Sequence, residues 1–108
     1  MRASRPFRVT ELAQLKDPES AALYLEEALA AGDTDAFKLA LRNVAEARLG
    51  GMSALSERTQ LNREALYRSL SKDGNPTLET LTKVMRALGL RISVTVERIA
   101  AHQPDVTP

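Results

Sequence analysis

GMSALSERTQLNREALYRSL, residues 51–70, is the stretch whose reading decides the fold. It predicts two short helices joined by a tight turn at Thr59 to Leu61. Small or apolar residues (Ala54, Leu55, Leu61, Leu66) stand where the helices must touch. Leu66 and Leu70, four apart, share the inward face of the second helix. Its other face carries Asn62, Arg63, Glu64, Tyr67 and Arg68, and Lys72 follows at its end. Such a layout is required of a recognition helix that enters a DNA major groove. There Arg pairs with guanine and Asn with adenine. Arg58 and Lys72 are placed to touch phosphates, which position a protein without reading sequence. Helix N-termini at Ser53 and Asn62 add N–H donors for phosphate oxygens. The same spacing also suits a plain helical hairpin with a solvated charged face, and Tyr67 suits a half-buried packing role with a wet hydroxyl. The turn carries Gln60 where helix-turn-helix units often have Gly. A positive φ at Gln60 costs on the order of 1 kcal/mol.

Working outward, Gly50-Gly51 breaks the preceding helix, which Asp33 or Thr34 caps and which runs to about Leu49. Phe37, Leu41, Val44 and Ala45 form its inward face. Before it, Asp17-Pro18 starts a helix, with a carboxylate at the cap and a proline of suitable φ in the first turn. Ala21, Ala22, Leu25, Ala28 and Leu29 line that helix, and Gly32 closes it. Thr10 caps a short turn through Leu15. On the other side, Ser53 is the expected cap of the first short helix and Asn62 of the second. Asp73-Gly74-Asn75-Pro76 is a loop. Thr77 caps a last helix with Leu78, Leu81, Val84, Met85 and Leu88 on one face, and Gly89 ends it.

The period then changes to two. Leu90, Ile92, Val94 and Val96 alternate with Arg91, Ser93, Thr95 and Glu97, the pattern of a half-buried strand. A single strand leaves its backbone groups unpaired. Its expected partner is its own copy, so Leu90, Ile92, Val94 and Val96 are dimer candidates in a two-fold homodimer. The segment Phe7 to Val9, or a strand of another protein, is the rival. The predicted architecture is therefore all-α, a bundle of about five helices with one C-terminal β-strand. A flexible arm at 1–9 precedes a helical extension at 10–33. A DNA-binding core at 34–89, a strand at 90–99 and a disordered tail at 100–108 follow.

Length and composition set the limits. The 108 residues suffice for one domain. Aromatics are only 4%, so the core must be aliphatic. There is no Cys, which excludes disulfides and thiolate metal sites. No apolar run approaches a membrane span, MRASRPFR lacks the apolar stretch of a signal peptide, and the expected location is the cytoplasm. No membrane partner and no cofactor are expected. Catalysis finds no support: His102 is the lone histidine and falls in the tail, and the serines have no base to activate them. The Gly50-Gly51 pair lacks the strand and the Lys-Ser/Thr of a phosphate loop. The chain is not expected to be an enzyme. The net charge of +1 hides an uneven distribution. Residues 11–35 carry seven acids against Lys16, a net −6, whereas residues 36–75 carry seven bases against four acids, a net +3. Two faces of opposite sign suit two different partners, and equally two solvated faces.

Several segments together, AALYLEEALAAGD, LYRSL and above all GNPTLETLTKVMRALGLRISV, resemble the addiction module antidote proteins. These are a branch of the Xre/Cro-like helix-turn-helix group related to HigA-type antitoxins. The resemblance covers roughly residues 5–97 and departs at Gln60, where Gly is usual, and at Ser56, where Ala is usual. It implies a lambda-repressor-like fold and an antitoxin that neutralises a small basic RelE/HigB-like toxin. It also implies repression of the shared operon through binding of the double-stranded operator DNA as a dimer. The acidic segment then becomes the toxin's landing surface, with Glu19, Glu26 and Glu27 as contacts and Tyr24 as anchor. An ordinary exposed helix face remains open for each. A solitary prophage-type regulator and a toxin-binding protein without DNA binding are the other readings of the same residues.

Overall fold

The computed structural model describes residues 12–97, and every secondary-structure element among them is helical. Helix α1 is described over residues 12–14. It is followed by α2 (Pro18–Ala30), α3 (Thr34–Leu49), α4 (Met52–Thr59), α5 (Arg63–Ser69) and α6 (Leu78–Ala87). The arm at 1–9, Thr10, residues 98–99 and the tail with His102 lie outside the described residues.

The local signals decide most boundaries. Asp17 caps α2, its carboxylate accepting from the Ser20 N–H at 2.8 Å, with Pro18 in the first turn. The bond from the Ser20 N–H, helped by the Ser20 hydroxyl, holds the Asp17 carboxyl below its ordinary range. The cap is therefore intact at neutral pH and is lost as pH falls through that lowered value. Asp33, rather than Thr34, caps α3, accepting from Ala36 N–H at 3.1 Å. Asn62 and Thr77 cap α5 and α6 in the same way. The end of α6 is a paired 6→1 and 5→2 closure, in which Leu90 N–H donates to Met85 O and Gly89 N–H to Arg86 O. Gly50 and Gly51 have φ of +97° and +135°, so two successive residues sit where an L side chain is strained. That pair lets the chain leave α3 and start α4 at once. One expected cap is not formed: Gly51 is the N-cap of α4, without a side-chain bond, and Ser53 lies inside the first turn.

The core is aliphatic and central. Leu41 and Val44 of α3, Leu55 of α4, Leu70 at the end of α5, Val84 of α6 and its C-cap Leu88 are the largest fully buried side chains. Helix α4 packs on α3, α5 and α6, while α2 packs on α3 through Ala21 and Leu25. Two residues expected inside are outside. Leu29 is 59% exposed at the end of α2 and Leu78 is 70% exposed in the first turn of α6. Both sit in terminal turns of their helices, where helical spacing alone does not guarantee a covering neighbour.

The expected strand is also not formed in the single chain. Residues 90–97 carry no regular secondary structure, because no neighbouring segment among the described residues offers them a ladder. Leu90 is half-buried against the core, but Val94 and Val96 are 95% and 79% exposed.

Candidate nucleic-acid interface

Helix α5 is held from behind and bare in front. Leu66 and the C-cap Leu70 are buried among residues of α3, α4 and α6. With those two facing inward, Glu64 and Arg68 fall on the opposite face, while Tyr67 on the flank and Arg63 at the N-terminal end of the helix are left open as well, so all four are exposed. The Arg63 guanidinium carbon lies 5.8 Å from the centroid of the Tyr67 ring. An exposed contact of this kind contributes about 0.5–1 kcal/mol, enough to bias the orientation of Arg63. Tyr67 is thus outward, stacking under Arg63 rather than filling the core. Asn62 is exposed, but its amide oxygen accepts from Ala65 N–H at 2.9 Å. Bidentate adenine pairing would need that oxygen, so while the cap holds only its NH2 is offered outward.

The turn before α5 explains both unusual residues. Gln60 is left-handed, φ 59° and ψ 25°. Ser56 uses its hydroxyl to donate to Leu61 O at 2.8 Å, spanning the turn. Thr59 donates to Leu55 O at 2.8 Å and accepts from Leu61 N–H at 3.3 Å. The turn is therefore braced by two hydroxyls, which suits the geometry that Gln60 alone disfavours. Gln60→Gly is expected to stabilise the domain by about 0.5 kcal/mol. Relief of about 1 kcal/mol of backbone strain outweighs the extra freedom of the unfolded chain. A rise in the urea midpoint at unchanged slope is the measurement.

The structure corrects the basic charge count. Three of the seven bases in residues 36–75 are struts on α3, Lys38 buried and Arg42 and Arg48 half-buried. Lys38 is 5% exposed and donates to Lys72 O at 2.8 Å and Gly74 O at 2.7 Å. Arg42 donates to Leu70 O at the end of α5. Arg48 donates to Leu88 O at the end of α6, at 2.8 Å, and to Lys16 O. Each satisfies carbonyls that a helix end or loop leaves open. Arg58, Arg63, Arg68 and Lys72 are the exposed ones. Arg58 lines a shallow cleft with Lys83 and Arg86 of α6, two bases that sequence spacing did not connect to it. Ser53 is exposed on α4, whose first-turn N–H groups have no capping side chain.

The acidic segment forms a second surface. Glu19, Leu23, Glu26 and Glu27 are exposed on α2, and Leu23 is 56% exposed among the carboxylates. Tyr24 is half-buried, its hydroxyl accepting from the Asn43 amide at 3.0 Å. That bond ties α2 to α3, so Tyr24 is first a packing residue and only its rim is free. Among the described residues no His, Cys, Asp and Glu group could hold a metal ion. No helix among them is long and apolar enough to cross a membrane.

A family model described as "Probable addiction module antidote protein" matches residues 4–96, nearly the whole chain. The chain belongs to that family. An uncharacterized protein of Haemophilus influenzae is 38% identical over 96 residues, which cover 89% of this chain and 95% of the relative. No solved structure gives a significant match. Membership in an antidote family implies an antitoxin role and a toxin as partner.

Proposed function

We propose that the chain is the DNA-binding antitoxin of a type II toxin–antitoxin module, of the HigA-like, Xre/Cro type with a lambda-repressor-like bundle. In this reading α4, the Gln60 turn and α5 are a helix-turn-helix. The observation that carries it is the face of α5. Arg63, Glu64, Tyr67 and Arg68 stand exposed on a helix fixed from behind by Leu66 and Leu70. Arg63 and Arg68 read base edges, Lys72 touches phosphate, and the open N-terminus of α4 at Ser53 adds backbone donors. Arg58 serves as a phosphate contact together with Lys83 and Arg86. The acidic stripe of α2 receives a small basic RelE/HigB-like toxin, with Leu23 as its apolar centre. The protein acts as a non-enzymatic cytoplasmic regulator. It works as a homodimer, which matches the symmetry of a palindromic operator, and represses its own operon.

The test is a gel shift on the chain's own upstream region at several salt concentrations. Binding should weaken steeply as salt rises, because phosphate contacts release counterions. Arg63→Ala should cost roughly 1–3 kcal/mol, about 5- to 150-fold in affinity, and relax selectivity at one position. Lys72→Ala should weaken all sequences alike and flatten the salt slope by about one. A shift that is absent, or indifferent to salt, ends the repressor reading and leaves a toxin-binding protein.

A further inference from the structure

Among the described residues, the four most exposed large apolar side chains, Val94, Val96, Leu78 and Leu29, lie on or beside one segment. Val94 is 95% exposed, Val96 79% and Ile92 43%. Ile92 also borders the two solvent-exposed leucines that the helical pattern had placed inside. It shares one groove with Leu29 of α2 and another with Leu78 of α6. Clustered exposed apolar groups of this kind mark an interaction surface. An unpaired strand with strict alternation needs a second strand, and a two-stranded ribbon needs a helix beneath it.

We infer that residues 91–97 pair antiparallel with the same residues of a second copy, in the one register centred on Val94. The inference rests on the homodimer reading above and adds its geometry. A two-fold antiparallel pair keeps Ile92, Val94 and Val96 on a common face only if residues of like parity oppose one another. Among such registers, centring on Val94 sets Ile92 opposite Val96 and Ser93 opposite Thr95. It alone also sets Arg91 opposite Glu97, twice by symmetry. Opposite charges directly across a ladder stabilise it, and like charges oppose it. Centring on Ser93 leaves Arg91 facing Thr95. A parallel in-register pair sets Arg91 against Arg91 and Glu97 against Glu97. The apolar face of the ribbon continues onto Leu29 and Leu78, which explains why neither leucine is covered in the single chain.

The chain has no cysteine, so single-cysteine variants report the register without background. All three sites are on the outside, so the substitutions leave the core intact. Val94→Cys should cross-link to a covalent dimer under mild oxidation, since directly opposed residues lie within disulfide reach. Ile92→Cys and Val96→Cys should each stay unlinked alone, because identical positions are then four residues out of step, about 13 Å. A mixture of those two variants should cross-link. Arg91→Glu should weaken dimerisation about tenfold or more, and adding Glu97→Arg should restore it. If light scattering shows a dimer but Val94→Cys does not link, the register is wrong and the dimer stands. If all three variants link singly, the strands run parallel and the inference is overturned. A chain that stays monomeric at high micromolar concentration removes the dimer itself.

Discussion

Replacing Gly74 by alanine should cost about 3 kcal/mol or more and lower the melting temperature by roughly 10–20 °C. The loop that follows α5 turns back at Gly74 and lies against the last turn of that helix. A Cβ there would stand 2.5 Å from the carbonyl carbon and oxygen of Ser69 and closer still to Arg68 O. These are backbone atoms, so no side chain can swing away. Either the loop or the end of α5 must move by a large fraction of an ångström or more. The loop is not free to move, because Gly74 N–H donates to Ser71 O at 3.0 Å and Gly74 O accepts from Lys38 at 2.7 Å. The end of α5 is pinned by Leu70, fully buried, and by Arg42 on its carbonyl. Packing is too dense for the strain to be shared cheaply. Thermal unfolding by circular dichroism reads the effect. An alanine variant with an unchanged melting temperature would show that the loop does not sit where it is placed. The same substitution should also weaken operator binding, because Arg68 hangs from the turn that must shift.

That glycine illustrates which parts of the molecule were legible beforehand. Asp73-Gly74-Asn75-Pro76 reads as a loop from local rules, and it is one. What the string does not carry is that Gly74 is needed for closeness to another backbone. The helix boundaries at Asp17, Asn62, Thr77 and Gly89 were readable because caps act within four residues. The core stripe of α3 was readable because one face of a central helix has neighbours along its whole length. Leu29 and Leu78 misled because helical spacing at a terminal turn does not guarantee a covering neighbour; each only borders a groove that it shares with Ile92. The place of Gln60 in the turn raises a positive φ as one option, which the structure shows, whereas the hydroxyl brace from Ser56 is not legible in the sequence. The largest misreading concerned charge. Lys38, Arg42 and Arg48 counted toward a basic surface, yet each reaches a carbonyl between 28 and 40 residues away. Charge summed along a segment cannot tell a strut from a surface. The strand expected at 90–99 is not formed over 90–97, because a period of two says nothing about whether a neighbouring segment offers a ladder.

The strut at Lys38 leads to the second large effect. Its ammonium has three hydrogens and meets three acceptors: Lys72 O, Gly74 O and the Asp35 carboxylate at 3.0 Å. The question is which of these holds the loop. The Asp35 side chain is 46% exposed, and ion pairs with a wet partner contribute little. Asp35→Asn should therefore cost no more than about 0.5 kcal/mol. The two carbonyls are different, since among the described residues no other donor reaches them and they close the loop that leaves α5. Lys38→Met keeps the length and the burial of the stem but removes all three donors. Loss of the desolvated charge offsets part of the cost, and water reaching the half-exposed loop offsets more. About 2–3 kcal/mol should remain, several times the effect at Asp35. Chemical denaturation of the two variants side by side gives the comparison, and amide exchange should quicken first at residues 71–76. If Asp35→Asn proves as costly as Lys38→Met, the ion pair rather than the carbonyl bonds anchors the loop. Equal and negligible costs would mean that α5 is held by Leu66, Leu70 and the Arg42 bond without help from Lys38.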